Sequence, residues 1–333
     1  MLNKQKNKLK HIDACLLPDS QYKKSAGFEN IDLVYNSLPE INLKDVCTKT
    51  SFLGHSLSAP LMIAPMTGGS ELGKVLNERW AKAAQHFGIA FGVGSQRLAL
   101  EDPSVTNSFL IRKYAKDAFI FANLGAAQLA YWGVKEALAA VHMIDANALF
   151  IHLNPLQEAC QEHGDTNFFG ILKKLEELNK EFLKLKIPLL VREVGFGFSK
   201  QTAQRLINIG ISGIDCAGAG GTSWSKVESL CSSSETYQKI GESFSEWGIP
   251  TVESIKNVRS ICKTIPLIAT GGIRSGEHIA KVLLLGANLA SMGQPMLKAA
   301  ILGQEELFKF IEQTILEFRI TLFAMGYKDC LNL

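Results

Sequence analysis

Short apolar runs recur along the chain beyond residue 58, and each is followed by a segment with helical periodicity. Each run is too short for a helix and too continuously apolar for a half-exposed strand, as is typical of strands buried on both faces. The eight runs span residues 61–64, 89–93, 118–124, 148–153, 188–194, 213–217, 266–270 and 287–292. Eight parallel strands alternating with helices favour an α/β fold, the closed (β/α)8 TIM barrel. The alternative, an open doubly wound sheet, usually stops at about six strands.

The segments between the runs have helical spacing, most clearly at residues 71–87, 168–185, 200–209 and 276–285. Residues 1–58 are polar and lack a strong period. We therefore expect an N-terminal extension (1–58) followed by one barrel domain (59–333). The Ser-rich stretch at residues 223–234 predicts a mobile loop over the barrel mouth.

Composition and charge exclude some classes of function for this chain. Of the 333 residues, 47% are hydrophobic and 20% are charged, which suits a large buried core. The 35 Lys+Arg against 32 Asp+Glu leave a net charge of +3, too small for a dedicated nucleic-acid binder. The seven cysteines form no CxxC pair, and no uninterrupted apolar run reaches about 18 residues. We therefore expect a cytoplasmic protein with reduced cysteines and without a membrane partner.

Two glycine-rich turns follow the sixth and seventh runs. Residues 218–222 read Gly-Ala-Gly-Gly-Thr, and residues 271–276 read Gly-Gly-Ile-Arg-Ser-Gly and open a helix. Glycines let backbone N–H groups approach an anion, and a helix N-terminus adds positive potential. Plain tight turns are the alternative, but the late strand ends are the usual phosphate site of this fold, so we predict a cradle for a cofactor phosphate.

Small polar side chains follow the first three runs. Thr67, Ser95 and Asn123 suit the carbonyl and nitrogen edge of a ring across the barrel mouth, although each alone is more often a turn or cap residue. Arg192 lies at the end of the fifth run, where a buried cation needs an anion. A reduced, anionic flavin ring or a carboxylate such as Glu193 would supply it, and the residues leave both open.

The end of the fourth run holds the densest polar cluster. His152, Asn154, Gln157 and Glu158 lie within seven residues. A Mg²⁺ ion prefers carboxylate oxygen together with substrate phosphate, so Glu158 is a candidate metal ligand. Arg97 and His152 can hold the same phosphate, Arg97 in bidentate fashion. The remaining histidines are predicted to be structural, at positions 55, 86, 142, 163 and 278.

Eight motifs occur in the order found in one enzyme family. They are MTGG (66–69), GSQR (94–97), NLGA (123–126), HLNPLQE (152–158), VGFG (194–197), GAGGTSW (218–224), WGIPT (247–251) and ATGGIRSG (269–276). Together they resemble type 2 isopentenyl-diphosphate Δ-isomerase. The resemblance implies an enzyme of isoprenoid biosynthesis that interconverts isopentenyl and dimethylallyl diphosphate. It also implies reduced FMN, Mg²⁺ and NADPH or NADH as reductant, in a homotetramer or homooctamer.

The resemblance also implies roles by position. The implied FMN contacts are Met66, Thr67, Gly68, Ser95, Asn123, Arg192, Ala217, Thr222, Gly272, Ile273, Arg274, Gly293 and Gln294. The implied substrate contacts are Asn7, Lys8, His11, Ser95, Gln96, Arg97, His152, Asn154 and Gln157. Glu158 is the implied metal ligand, and His152 and Gln157 are the implied catalytic residues, the neutral Gln157 with an orienting or proton-relay role. Through Lys8 and His11, the extension would cover the barrel and reach a neighbouring subunit's site.

Three positions depart from the family pattern. Asn7 replaces a usual arginine, Arg192 replaces a usual lysine, and Glu253 stands in a stretch that is normally small and apolar. Arg192 keeps the positive charge but cannot lend a proton near neutral pH. We interpret the three as variation within an active isomerase. A flavin-dependent 2-hydroxyacid oxidase and a redox-sensing flavin protein without turnover are the alternatives.

Overall fold

The computed structural model describes residues 2–333, with side chains from residue 8 onward. The strands in this range are β1 (Thr50–Phe52), β2 (His55–Leu57), β3 (Leu61–Ile63), β4 (Ala90–Gly92), β5 (Ile120–Gly125), β6 (Ala148–Leu153), β7 (Leu189–Glu193), β8 (Gly213–Asp215), β9 (Leu267–Thr270) and β10 (Leu289–Met292). The α-helices are α1 (Leu2–Leu16), α2 (Glu71–Phe87), α3 (Arg97–Glu101), α4 (Val134–Met143), α5 (Pro155–Ala159), α6 (Ile171–Lys184), α7 (Lys200–Asn208), α8 (Trp224–Cys231), α9 (Glu235–Ser243), α10 (Thr251–Ile261), α11 (Gly276–Leu284), α12 (Gln294–Leu302) and α13 (Gln304–Met325).

Strands β3 to β10 form a closed barrel of parallel strands in chain order. Closure comes from β10, which pairs with β3 in a register that sets Ala290 opposite Leu61. These strands match the eight predicted runs, so the predicted (β/α)8 fold is confirmed. The four predicted helices are confirmed as α2, α6, α7 and α11. The apolar runs form strands because the barrel buries both of their faces.

The N-terminal end of the barrel is filled with aromatic side chains. The rings of Phe121 and Phe150 stack with their centroids 4.2 Å apart. Strands β1 and β2 form an antiparallel hairpin directly before β3, and its Phe52 and Leu57 join the same buried cluster. Since packed side chains close this end, the barrel is left open to ligands at the opposite end, where the strands end.

Helix α1 lies at that open end, where it contacts α8 and α12. Its Ile12 and Cys15 are buried against the barrel. The sequence pattern missed this helix because its lysines and polar residues leave too few apolar positions to show a period. None of the helices within residues 2–333 combines the length and apolar character needed to cross a membrane.

The prediction of a loop at residues 223–234 is wrong, since most of this segment forms α8 and the rest is the short link to α9. Ser223 caps α8 by accepting a hydrogen bond from the Lys226 N–H. The hydroxyls of Ser223 and Ser225 donate to backbone carbonyls at positions 245 and 244, at 2.6 and 2.7 Å. The serines are therefore packed between helices instead of facing solvent, a placement that composition alone does not distinguish from a polar loop.

Candidate active site

A cavity of about 340 Å³ opens where the barrel strands end, within the size range of small-molecule sites. Most of the predicted site residues line it. They are Lys8, His11, Met66, Thr67, Ser95, Arg97, Asn123, His152, Asn154, Gln157, Glu158, Arg192, Ala217, Thr222, Gly272, Ile273, Arg274, Gly293 and Gln294.

Two predicted site residues, Gln96 and Gly68, do not line this cavity. Gln96 is fully buried, donates to the Ala140 carbonyl at 2.8 Å and accepts from the Asn123 N–H at 3.0 Å. Backbone groups already satisfy this amide, and the predicted contact between Gln96 and substrate stays a prediction. Gly68 packs against the ring of Phe109, which a Cβ at this position would approach to 2.2 Å. The side chain of Asn7 lies outside the described residues.

The two predicted glycine-rich loops, residues 218–222 and 271–274, meet at one wall of the cavity. Gly272 has a φ of +69°, and a Cβ there would lie 2.7 Å from the Gly220 carbonyl oxygen, so only glycine fits. Helix α11 begins beside these loops and is capped by Ser275. Backbone N–H groups next to a helix N-terminus suit a phosphate.

Gln21 from the N-terminal extension holds these loops together, and no motif or periodicity predicted this role. Its Nε2 donates to Thr222 Oγ1 at 3.1 Å, and its Oε1 accepts from Arg274 Nη2 at 3.1 Å. Gln294 accepts from the other terminal nitrogen of Arg274 at 3.4 Å. Two neutral amides thus aim this guanidinium while leaving its positive charge uncompensated, which suits an anion.

Polar atoms without partners face the middle of the cavity. Thr67 Oγ1, Arg192 Nη1 and Ser291 Oγ are buried and find no hydrogen-bond partner among residues 8–333. Unsatisfied buried groups are rare and destabilising in folded proteins, so this site is built for a ligand with a polar edge. Together with the two glycine-rich loops, this donor set fits FMN. Ser291 was not among the predicted site residues, although it lies at the end of β10 as the fold rule requires.

Arg192 has a carboxylate partner, but that partner is not its neighbour in sequence. Its Nε lies 3.5 Å from Asp215 Oδ2, and Asp215 Oδ1 accepts a 2.6 Å hydrogen bond from the hydroxyl of Thr270. The Glu193 carboxylate instead accepts from the backbone N–H groups of residues 194–197 and so shapes the loop after β7. Burial lowers the pKa of Arg192, while Asp215 opposes that effect. The guanidinium stays charged and faces the cavity.

His152 is held in one orientation and is neutral. Its Nδ1 lies 2.9 Å from Asn123 Oδ1, and Asn123 Nδ2 donates to the Val93 carbonyl at 3.1 Å. Because the Asn123 amide is fixed in this way, Nδ1 of His152 is the donor. Burial, followed by the charges of Arg192, Lys8 and Arg97, lowers the pKa of His152 to about 3. The ring therefore carries no positive charge near neutral pH.

Glu158 is the carboxylate best placed for a metal ion. Its Oε1 accepts from Asn154 Nδ2 at 2.8 Å, and its Oε2 accepts from the Asp165 N–H at 2.8 Å. Burial raises the pKa of Glu158. The Oδ1 of Asn154 is buried and has no partner in the described part of the chain. Hard oxygen donors near the Arg97 guanidinium fit Mg²⁺, which uses one or two carboxylates together with substrate phosphate oxygens.

A second carboxylate, Glu228, was missed by the sequence analysis. It is buried on α8 and accepts from Gln157 Nε2 at 2.8 Å and from Gln161 Nε2 at 3.0 Å. Its other oxygen lies 3.2 Å from His11 Nε2. The helical geometry of α8, which the sequence did not predict, places Glu228 behind Gln157 and His11, which line the cavity.

Lys8 and His11 lie at the cavity of their own barrel. Burial, and then the charge of Arg97, lowers the pKa of Lys8 to about 8. The structure describes one chain, so the reach of this segment into a neighbouring subunit stays a prediction.

His163, predicted to be structural, lies at the cavity rim. Glu253 is exposed in the first turn of α10 and lies away from the site, where its charge suits the helix N-terminus.

Comparisons with known proteins agree with this geometry. A family model described as FMN-dependent dehydrogenase matches residues 19–108 and 155–333. A Nostoc sp. protein named isopentenyl-diphosphate delta-isomerase is 44% identical over 324 residues, covering 97% of this chain and 92% of that protein. Proteins with the same name from Vibrio parahaemolyticus and Rickettsia bellii are 43% and 41% identical, covering 95% and 98% of this chain and 93% and 95% of their own lengths.

Solved structures resemble this chain in fold alone. A mandelate oxidase bound to benzoyl-formic acid superposes with a TM-score of 0.63 at 17% identity, covering 97% of this chain and 91% of that one. A Pediococcus acidilactici lactate oxidase superposes with a TM-score of 0.61 at 17% identity, covering 96% and 84% of the two chains. At such identity the shared barrel carries no statement about substrate.

Proposed function

The chain belongs to the FMN-dependent dehydrogenase family and, within it, to the isopentenyl-diphosphate isomerases, and on this premise we propose how it works. It converts isopentenyl diphosphate into dimethylallyl diphosphate with reduced FMN and Mg²⁺. One observation carries the proposal. The phosphate loops after β8 and β9 and the polar group formed by Arg97, His152 and Glu158 line a single cavity from different sides of the barrel.

FMN fits the wall that carries the glycine-rich loops. Residues 218–222 and 271–274 would hold its phosphate, with Arg274 aimed by Gln21 and Gln294. Thr67, Ser291 and Arg192 would meet the polar edge of its ring. Reduced FMN supplies negative charge and an exchangeable proton close to the substrate alkene.

The diphosphate fits the opposite wall. Arg97 offers a planar guanidinium for bidentate binding, and Lys8 adds a second cation from α1. His152 is neutral before binding, so an anion at its Nε2 would favour uptake of a proton there and a charged hydrogen bond. Glu158 would hold Mg²⁺ with the help of Asn154. These groups fix one end of the substrate, which places the alkene at the centre of the cavity.

The reaction adds a proton at the terminal carbon and removes one from the allylic carbon. Gln157 is neutral, so it orients the substrate or relays a proton instead of serving as the primary base. Its Nε2 donates to Glu228, which fixes the side-chain amide. Trp224 and Ile12 also line the cavity and limit the access of water to the reacting carbons.

We extend the proposal to the reductant, the oligomeric state and the cellular location that the resemblance implies. The reductant is NADPH or NADH, the assembly is a homotetramer or homooctamer, and the enzyme works in the cytoplasm. The N-terminal segment then closes over the diphosphate of a neighbouring subunit.

An anaerobic assay with isopentenyl diphosphate, FMN and Mg²⁺ tests the proposal, with and without NADPH. We expect dimethylallyl diphosphate only when the flavin has been reduced. Full turnover of oxidised enzyme under air would contradict a reduced-flavin isomerase. Formation of an oxidised product would identify an oxidoreductase, as in the 2-hydroxyacid oxidase alternative. Reduction of the flavin without any product would identify a redox-sensing flavin protein.

A further inference from the structure

Arg97, the arginine assigned to the diphosphate, already has an anionic partner within the chain. Its Nη1 lies 2.5 Å from Asp165 Oδ2. The same carboxylate oxygen accepts from Gln128 Nε2 at 3.1 Å. Glu101, on the same helix as Arg97, is farther away at 3.5 Å from Nε. Asp165 is therefore the closest carboxylate to this guanidinium among the described side chains.

Asp165 is also tied to the carboxylate assigned to Mg²⁺. Its backbone N–H donates to Glu158 Oε2 at 2.8 Å. The turn between them is closed tightly, since a Cβ at Gly164 would lie 1.9 Å from the Glu158 carbonyl oxygen. One short turn thus carries both the metal carboxylate and the partner of Arg97, so the two negative charges stay close together.

Asp165 and a diphosphate compete for the same guanidinium. A phosphate needs two parallel N–H groups of Arg97 for bidentate binding, and Asp165 already takes one of its terminal nitrogens. The Asp165 side chain is 42% exposed at the cavity rim, so it has room to move aside. A metal-free diphosphate would in addition meet the like charges of Glu158 and Asp165, whereas its Mg²⁺ complex would have those charges offset.

We propose that Asp165 is a specificity-determining residue that holds Arg97 until diphosphate arrives and selects the Mg²⁺ complex over the metal-free anion. The inference rests on the proposed function, because it takes Arg97 and Glu158 as the diphosphate and metal groups. Asp165 here acts on substrate through Arg97 and through its own charge, and it does not ligate the metal.

Calorimetric titration of the oxidised, FMN-loaded enzyme with inorganic pyrophosphate tests this role, once with Mg²⁺ and once with a chelator. Asp165→Asn keeps the size of the side chain and removes its charge. We expect metal-free pyrophosphate to bind about tenfold more tightly to this variant, while binding of the Mg²⁺ complex changes less than about threefold. Asp165→Glu should restore the wild-type preference. Asp117→Asn, an exposed aspartate before β5, controls for net charge.

The outcomes separate this inference from the function on which it rests. An unchanged preference for the Mg²⁺ complex in Asp165→Asn overturns the role of Asp165 and leaves the diphosphate site intact. If Asp165→Asn loses Mg²⁺-dependent binding of pyrophosphate while metal-free binding is unchanged, Asp165 is a metal ligand. That result also overturns its role in selecting the Mg²⁺ complex. If the wild-type enzyme binds no pyrophosphate even with Mg²⁺, the cavity has no diphosphate site. The proposed function and the role of Asp165 are then both wrong.

Discussion

Gln157 donates a 2.8 Å hydrogen bond from Nε2 to Oε1 of Glu228, a buried carboxylate 71 positions later in the chain. The contact joins α5, at the end of β6, to α8, which lies after β8. Its geometry fixes which end of the Gln157 amide faces Glu228. A neutral side chain that lines the cavity is thereby oriented by a carboxylate behind it, as expected of a positioning contact.

Replacing Glu228 by glutamine should lower kcat by about 10- to 100-fold, with little change in FMN content. The glutamine amide at position 228 no longer fixes Gln157, because either its oxygen or its nitrogen can face the Gln157 amide. Steady-state kinetics and the flavin absorbance of the purified variant measure the two quantities. Glu235→Gln, on the exposed surface of α9, is the matched control. Equal kcat for Glu228→Gln and wild type would contradict the positioning role.

Glu158→Gln should raise the Mg²⁺ concentration needed for half-maximal activity by about tenfold or more, with FMN still bound. The amide keeps the hydrogen-bonding capacity but loses the charge that a hard cation requires. A Mg²⁺ titration of initial rates gives this value. Glu162→Gln changes an exposed carboxylate in the same turn and should behave as wild type. Loss of flavin from Glu158→Gln would show that Glu158 supports the cofactor and not the metal.

The neutral state of His152 makes stability depend on pH. A histidine in the unfolded chain titrates near a pKa of about 6.5, whereas the pKa of His152 is lowered to about 3 in the fold. The stability contributed by the neutral ring is fully present above pH 6.5. It is lost as the pH falls, because only the unfolded state then binds the proton. The loss reaches at most about 1.4 kcal/mol per pH unit.

Denaturant unfolding of substrate-free enzyme between pH 7.5 and 5 measures this dependence. His152→Gln should flatten the acid side of the stability curve, while His142→Gln, at an exposed position on α4, serves as the control. Parallel curves for wild type and His152→Gln would mean that His152 is already charged in the substrate-free fold.

Gln21→Ala should weaken FMN binding by about tenfold, because two hydrogen bonds that align the two glycine-rich loops are lost. Quenching of flavin fluorescence during titration of the flavin-free protein gives the dissociation constant. Gln204→Ala, on the exposed face of α7, is the control. Unchanged affinity in Gln21→Ala would show that Thr222 and Arg274 keep their positions without the extension.

The barrel strands and the polar site residues at their ends can be predicted from local sequence rules. Continuous apolar runs mark strands buried on both faces, and polar residues at their ends, such as His152 and Glu158, must then share one rim. Gln96 shows the limit of this reasoning, since a buried amide paired with backbone groups looks identical in sequence to one facing a ligand. Glu228 and Gln21 depend on contacts between distant segments, which no local period reveals.

Counting product molecules per reductant tests the central claim most directly. Anaerobic enzyme is given less than one equivalent of NADPH, excess isopentenyl diphosphate and Mg²⁺, and both diphosphates are measured over time. We expect many molecules of dimethylallyl diphosphate for each NADPH oxidised, because the reaction has no net redox change. One product molecule per NADPH, or a product that is itself oxidised or reduced, would contradict it.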